Sequence, residues 1–237
     1  QNAAMSLTRV SKVKLKIDWA TYEAAKYACQ YWHYSKCIPA GKLVKVGVWE
    51  NEKFIGVVIF GRGANPRICG PYGLEQTQMC ELVRVAMRGH ITTVSRILSI
   101  AMKFLKKQMP GVRLILSYAD PFQGHHGGIY QASNWIYVGK SQAQREVVIN
   151  GVHVHKRSAN SKYGTASVEK IAAMTGKKVE YGPLLWKHTY LMALDKSMRS
   201  KIEAKAQPFP SRLKQAAAPT RGAAAEHHRP ERSNFAL

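Results

Sequence analysis

Residues 113–121 read Arg113-Leu114-Ile115-Leu116-Ser117-Tyr118-Ala119-Asp120-Pro121. A short apolar run that stops at Asp-Pro is the pattern of a strand buried on both faces, and such a strand needs helices to cover it. Upstream, Val94, Ile97, Leu98, Ala101, Phe104 and Leu105 recur at three- and four-residue steps. That is the period of a helix, and it ends at Pro110-Gly111. Downstream, Gly124-His125-His126-Gly127-Gly128 opens a short helix through Ser133, and Trp135–Gly139 reads as the next strand. Strand and helix alternating around a buried strand predict a mixed or parallel α/β sheet with flanking helices.

Toward the N-terminus, Lys42–Trp49 and Phe54–Phe60 are β-branched runs around the polar Glu50-Asn51-Glu52-Lys53, the signature of an antiparallel hairpin. Glu81–Met87 is a further strand. Strict alternation puts Leu82, Arg84 and Ala86 on one face and Glu81, Val83 and Val85 on the other. Trp19, Tyr22, Ala25 and Cys29 predict a helix over 19–33 with Asp18 as its N-cap. Residues 61–77, rich in Gly, Pro and Asn, read as a loop. Strand-like runs recur near 146–155 and 188–194. Gln1–Ala4 precede Met5 and read as an appended remnant, 5–204 as one domain, and 205–237 as a disordered basic tail.

The 237 residues carry 36 Lys and Arg against 14 Asp and Glu, a formal charge of +22, and 46% are hydrophobic. That apolar share excludes wholesale disorder. No run of about 18 apolar residues predicts a membrane span, and no export signal opens the chain. The charge points to a polyanion partner, since clustered Lys and Arg gain from counterion release. The alternative is a solvated basic surface. Cys29, Cys37, Cys69 and Cys80 form no C-x-x-C pair and read as reduced thiols. Cys29, His33 and Cys37 share one face if the segment is helical, as a metal stripe or as half-buried core.

The element order resembles the GNAT acyltransferase fold, which implies a splayed central strand admitting acetyl-CoA and a helix N-terminus receiving its pyrophosphate. Gly128–Trp135 looks like a late element of that fold. The usual phosphate loop is replaced here by Arg88-Gly89-His90-Ile91-Thr92-Thr93-Val94-Ser95. Trp19–Tyr27, Tyr31-Trp32-His33-Tyr34-Ser35-Lys36, Glu81-Leu82-x-Arg84 and Ala119–Ala132 together resemble the phage Mom DNA-modification family. The likeness is close over 5–140 and looser to about 195. It implies an enzyme that converts adenine in phage DNA to its N6-carbamoylmethyl (acetamido) form, shields that DNA from host restriction and works in the cytoplasm of the infected bacterium. The alternatives are an ordinary acyl-CoA N-acetyltransferase and a non-enzymatic basic DNA-binding protein.

A carbamoylmethyl group is joined through its methylene carbon, which ordinary acyl transfer does not make, so some activation is required. The resemblance suggests iron, and it places metal ligands on His33, Tyr34 and Asp120. Imidazole, phenolate and carboxylate together suit iron; the other reading is that His33 and Tyr34 only pack. Asp120, at a strand's carboxyl end, is a candidate catalytic base or a simple turn residue. Arg84 is a candidate for holding a phosphate or carboxylate, or for an ion pair with Glu81 or Asp120. Ser95 and Tyr130 match positions the family uses for cofactor or catalysis. Thr92 and Thr93 offer hydroxyls and amides to an acyl donor, acetyl-CoA or a relative of it, or they cap the helix. His125-His126 and His153-x-His155 are further imidazole pairs, better suited to solvent or phosphate than to metal.

The substrate implied is double-stranded DNA with the adenine flipped out of the stack. Trp32, Tyr34, Tyr72, Trp135 and Tyr137 are candidate stackers. Lys42, Lys45, Arg62, Arg67, Lys156, Arg157 and Lys162 are foremost among the candidate phosphate contacts, with 153–164 as a DNA-contacting loop. The oligomeric state is left open, a dimer included.

Overall fold

The computed structural model describes residues 13–210 apart from residues 64 and 66. Gln1–Ala4, expected as a remnant, and the part of the expected tail beyond residue 210 lie outside the described residues. Residues 205–210 of the expected tail are described, and there the Gln207 amide bonds the Tyr137 carbonyl at 2.8 Å. Where the sequence suggested one domain over 5–204, the described chain falls into two compact units, residues 13–142 with 186–210, and residues 143–185.

The first unit holds β1 (Leu15–Trp19), α1 (Tyr22–Trp32), β2 (Leu43–Glu50), β3 (Lys53–Gly61), β4 (Met79–Met87), α2 (Val94–Gln108), β5 (Leu114–Ala119), α3 (Gly128–Gln131) and β6 (Ile136–Lys140). The second holds β7 (Gln144–Ile149), β8 (Val152–Val154), α4 (Lys156–Tyr163), α5 (Val168–Thr175) and β9 (Val179–Leu185); β10 (His188–Ala193) and α6 (Lys196–Glu203) return to the first. The main sheet has the order β1-β2-β3-β4-β5-β10-β6, and only β4 and β5 run parallel in it. The expected mixed α/β class is therefore what is found.

β1 was not expected. Its Leu15–Trp19 pairs with β2, so the helix starts later and Thr21, not Asp18, caps it: the Thr21 hydroxyl accepts the Ala24 amide at 3.1 Å. Asp18 takes the Trp19 amide instead, at 2.8 Å. The β2–β3 hairpin turns through Asn51 and Glu52, both at positive φ (49° and 68°), as a two-residue turn matching strand twist requires.

β4 carries a bulge that overturns the alternation expected for it. Ile59 faces Arg84 while Phe60 faces Leu82, so Val83 is the extra residue. Beyond the bulge Val85 and Met87 rejoin Cys80 and Leu82 against α2. Ala86, with Val83, packs toward α1, and Arg84 shares that face through its pairing with Ile59. A bulge of this kind re-aims a side chain, and here it is the arginine.

β4 and β5 share three rungs, Met79–Leu114, Cys80–Ile115 and Glu81–Leu116, and then part. Past them β4 stays with β3 and β5 with β10, leaving a wedge between Leu82–Met87 and Ser117–Ala119. The α2 face of the sheet is packed by Ile97, Leu98, Ala101 and Leu105. Met198 and Ile202 of α6 cover Leu114, Leu116 and Leu191 on the other.

The second unit is a three-stranded antiparallel sheet, β8-β7-β9, over Ala159 and Ile171. The run 146–155 is a hairpin turning at Asn150-Gly151. The loop expected at 153–164 is a short strand followed by a helix, because Ala159 is fully buried and its amide bonds the His155 carbonyl. Among the described residues no helix is long and apolar enough to cross a membrane.

Gly127 sits at φ +88°, and a Cβ there would lie 2.3 Å from carbons of the Tyr190 ring. Gly127→Ala is expected to cost about 2 kcal/mol or more, read as a lowered urea midpoint. An unchanged midpoint would show that the Gly127–Tyr190 approach is not tight.

Candidate active site at the β4–β5 wedge

His33 caps the C-terminus of α1 in an extended conformation, which swings the next residues toward the wedge. The ring of Tyr34 lies 4.3 Å from that of His33 and 5.4 Å from that of His125. His125 follows the turn at the end of β5, whose geometry comes from Asp120: its carboxylate accepts the Phe122 amide at 3.0 Å and its carbonyl accepts the His125 amide at 3.0 Å. His33, Tyr34, His125 and Asp120 are thus drawn into one chain of neighbours from residues about 90 positions apart.

The protonation of His33 can be deduced. The Ser35 amide donates to its Nδ1 at 3.1 Å, and an amide can only donate. The neutral ring therefore carries its proton on Nε2. Burial first, then the charges of Arg84, His125 and Lys36, hold its pKa down to about 3. His33 is a neutral hydrogen-bond donor at physiological pH. Burial likewise holds His125 below its ordinary value, although Asp120 works to raise it.

Of the expected iron ligands, His33 and Tyr34 stand ring to ring and Asp120 acts on the neighbouring His125. A histidine that binds metal through Nε2 donates from Nδ1, and the Ser35 hydroxyl, 2.8 Å from Nδ1, is the group that could take that proton. The charges acting on His33 do not include Asp120, which acts on His125 instead. Among the described residues no three His, Cys, Asp or Glu side chains stand together as a metal site. The Cys29–His33–Cys37 stripe also fails, because α1 ends at Trp32 and leaves Cys29 buried and Cys37 exposed. His153 is paired with Glu146 at 3.1 Å.

Tyr130 is buried at the wedge. Ser117 Oγ lies 2.8 Å from the Tyr130 hydroxyl and 2.9 Å from the Leu82 carbonyl. A carbonyl can only accept, so Ser117 donates to Leu82 and Tyr130 donates to Ser117. This small network crosses the gap between β4 and β5 where their backbones no longer pair. Burial above all, with Tyr34, Glu81 and Tyr190 adding to it, pushes the Tyr130 phenol up to about 12, so it stays protonated. Ser117 and Glu81 were not singled out from the sequence as site residues. A lone serine inside an apolar strand was the one available signal for the first.

Arg84 has no carboxylate partner among the described residues. It donates to the Val83 carbonyl at 2.7 Å and reaches the Cys37 carbonyl at 3.4 Å. Neither ion pair suggested from the sequence forms. The guanidinium is held by neutral groups beside His33, which leaves its charge unneutralised there.

The expected cofactor residues are differently engaged. The Glu50 carboxylate, 5% exposed, accepts the Ile91 amide at 2.9 Å and the Thr92 amide at 2.6 Å. Ser95 donates to Thr93 Oγ1 at 3.2 Å. An internal anion thus holds the Ile91 and Thr92 amides of the loop just before α2, which starts at Val94. Burial works to raise the Glu50 pKa, but the hydrogen bonds from Thr92 and Ile91 outweigh it and hold the group below its ordinary value. Of the expected stackers, Trp135 and Tyr137 are buried in the core, while Tyr34 is 43% exposed. Of the phosphate contacts, Arg62 and Arg67 are exposed in the first unit; Lys156 and Lys162 are exposed on α4 of the second, which also carries Arg157.

A carboxylate whose folded pKa is depressed adds stability above its ordinary pKa and loses it as pH falls through the folded value. Glu50→Gln should lower stability by about 2 kcal/mol at neutral pH, the loss of charged hydrogen bonds. It should also flatten the decline below about pH 4.5 seen in urea titrations. A variant with the wild-type acid profile would show that Glu50 does not hold this loop.

A model described as the Mom protein family matches residues 14–211. The chain is 25% identical over 205 residues to the methylcarbamoylase mom of Escherichia phage Mu, covering 83% of this chain and 84% of that one. Among solved structures, a GNAT-family acetyltransferase from Streptococcus pneumoniae is similar over 77% of this chain and 100% of its own, at 10% identity and a TM-score of 0.43. Spermidine N-acetyltransferase from Vibrio cholerae, solved with CoA and spermine, covers 76% and 95% at 8% identity and a TM-score of 0.41. With its family match running from β1 past α6, the chain belongs to the Mom protein family.

Proposed function

We propose that this chain is a DNA-modifying transferase that converts adenine to its N6-carbamoylmethyl form and so protects phage DNA from restriction in the cytoplasm of the infected host. The observation that carries the reading is the convergence of His33, Tyr34, His125 and Asp120 beside Tyr130, in a member of the Mom family. The charge of +22 supports a DNA substrate. The exocyclic amine of adenine is hidden in the stack, so the base must be flipped.

In this reading Asp120 is the base that takes a proton from the exocyclic amine. One carboxylate oxygen is spent on the Phe122 amide, and the second accepts no hydrogen bond among the described residues. His33 donates from Nε2 to an acceptor on the base or on the transferred group. Tyr130, protonated throughout the physiological range, is a proton donor and not a base. Tyr34, exposed beside both imidazoles, offers a ring on which the flipped base stacks.

The donor is acetyl-CoA or a related thioester, which would supply the two-carbon unit of the transferred group at the wedge. Its seat is the gap above Ser117 and Tyr130, without the loop amides that Glu50 occupies. Iron rests on the resemblance alone, and no step is assigned to it. An ordinary acyl-CoA N-acetyltransferase is disfavoured by the family match, and a purely binding protein by the assembled acid–base groups.

DNA from cells expressing the chain is expected to yield, on nucleoside mass analysis, a deoxyadenosine in which a carbamoylmethyl group replaces one hydrogen. Unmodified adenine with verified expression would sink the reading. Asp120→Asn should cut modification by about a hundredfold or more with the fold intact, and should lower the His125 pKa further, followed by NMR titration. Retained activity would remove Asp120 from the mechanism.

A further inference from the structure

A cleft of about 440 Å³ opens in the first unit, lined by Trp19, Lys42, Lys45, Arg62, Gln108 and Met109 among others. It exists because β1 leaves the sheet at Trp19 to enter α1, while β2 runs back beyond that rung to Leu43. The freed edge of β2 is met there by the Ala20 amide, which bonds the Lys45 carbonyl at 3.0 Å.

The lining is charged on one side of the ledger only. Among the described residues none of Lys42, Lys45 and Arg62 meets a carboxylate within ion-pair distance. The neighbouring Asp18 is committed to the Trp19 amide and to Lys16, 3.9 Å away. Trp19 is 41% exposed, with the edge of its contact set by Phe104 at 4.9 Å. The carbonyl end of α2, at Gln108, would oppose an anion, and Lys106 and Lys107 in its last turn offset it. Three cations that meet no carboxylate among the described residues line the cleft together with an exposed indole, a set that suits a ligand with spaced negative charges and an apolar ring between them. A phosphodiester backbone with its deoxyribose has that form.

We propose that this cleft is a seat for the DNA backbone, with Lys42, Lys45 and Arg62 on successive phosphates and Trp19 against a sugar. The cleft is lined by β1–β3 and the end of α2, whereas the wedge site is built from α1, β4, β5 and α3. It therefore anchors the strand outside the reacting base. The proposal rests on the reading of DNA as substrate and adds the place where the backbone is held.

The test is fluorescence anisotropy of the full chain with a labelled adenine-containing duplex, from about 50 to about 200 mM salt. Lys42→Gln/Lys45→Gln/Arg62→Gln should weaken binding roughly tenfold or more and reduce the slope of log K against log salt by about 3, one phosphate contact each. The three single variants should each remove about 1 from the slope, which keeps the test open if the triple variant is unstable. Trp19→Ala should weaken binding with the slope unchanged. A control that loses the same charge elsewhere, Lys14→Gln/Lys26→Gln/Lys53→Gln, should leave the slope near wild type. Wild-type slope and affinity in the cleft variants, or an equal loss in the control, would overturn the cleft while leaving the DNA reading standing. A wild-type chain that binds no duplex at low salt would overturn both.

Discussion

The three-rung pairing of β4 with β5 is the constraint on which the rest of the first unit depends. Parallel strands that part after Glu81–Leu116 leave backbone groups on two edges without sheet partners. One of these is met by the Ser117 hydroxyl on the Leu82 carbonyl, which in turn orients Tyr130. The bulge at Val83 sits next to the parting and turns Arg84 toward the α1 face. Turn geometry at Asp120 carries His125 to the mouth of the same gap. The opening, its hydroxyl floor and its charged rim are consequences of one break in the ladder.

The groups around the gap are tuned to remain uncharged. His33 is neutral because burial and neighbouring positive charges disfavour a second proton, and Tyr130 is neutral because burial disfavours the phenolate. Arg84 keeps its charge without a partnering carboxylate. Such a site presents donors and one cation to whatever enters it, with Asp120 and Glu81 as the carboxylates at its edge. Elsewhere the molecule handles negative charge differently. Glu50 is buried and spent on the Ile91 and Thr92 amides, a use that pins the loop before α2 to the end of β2.

Much of this was legible in the chain. Period-3.6 patterning located α2, a continuous apolar run located β5, and a polar turn between β-branched runs located the β2–β3 hairpin. The long motif runs were enough to suggest the family, and the family match bears that out. Where the structure departs from the sequence pattern, the causes are physical. β1 went unseen because a five-residue edge strand leads straight into α1, whose helical period masked it. The faces of β4 were misassigned because a bulge shifts a period of two by one residue, and nothing in Glu81–Met87 marks it. α4 was read as a loop because its polar residues show little periodicity, and its single anchor, Ala159, is too small to stand out.

The sequence by itself determined the α/β class, the family and the basic charge, because each depends on local pattern or on counting. The tertiary structure alone decided which groups meet. The Tyr34 ring lies beside those of His33 and His125, Glu50 answers amides 41 and 42 residues away, and Lys42, Lys45 and Arg62 share a cleft. Those pairings follow from strand register and from where each strand leaves the sheet. Both are set by the packing of distant segments, which no local stretch of sequence records.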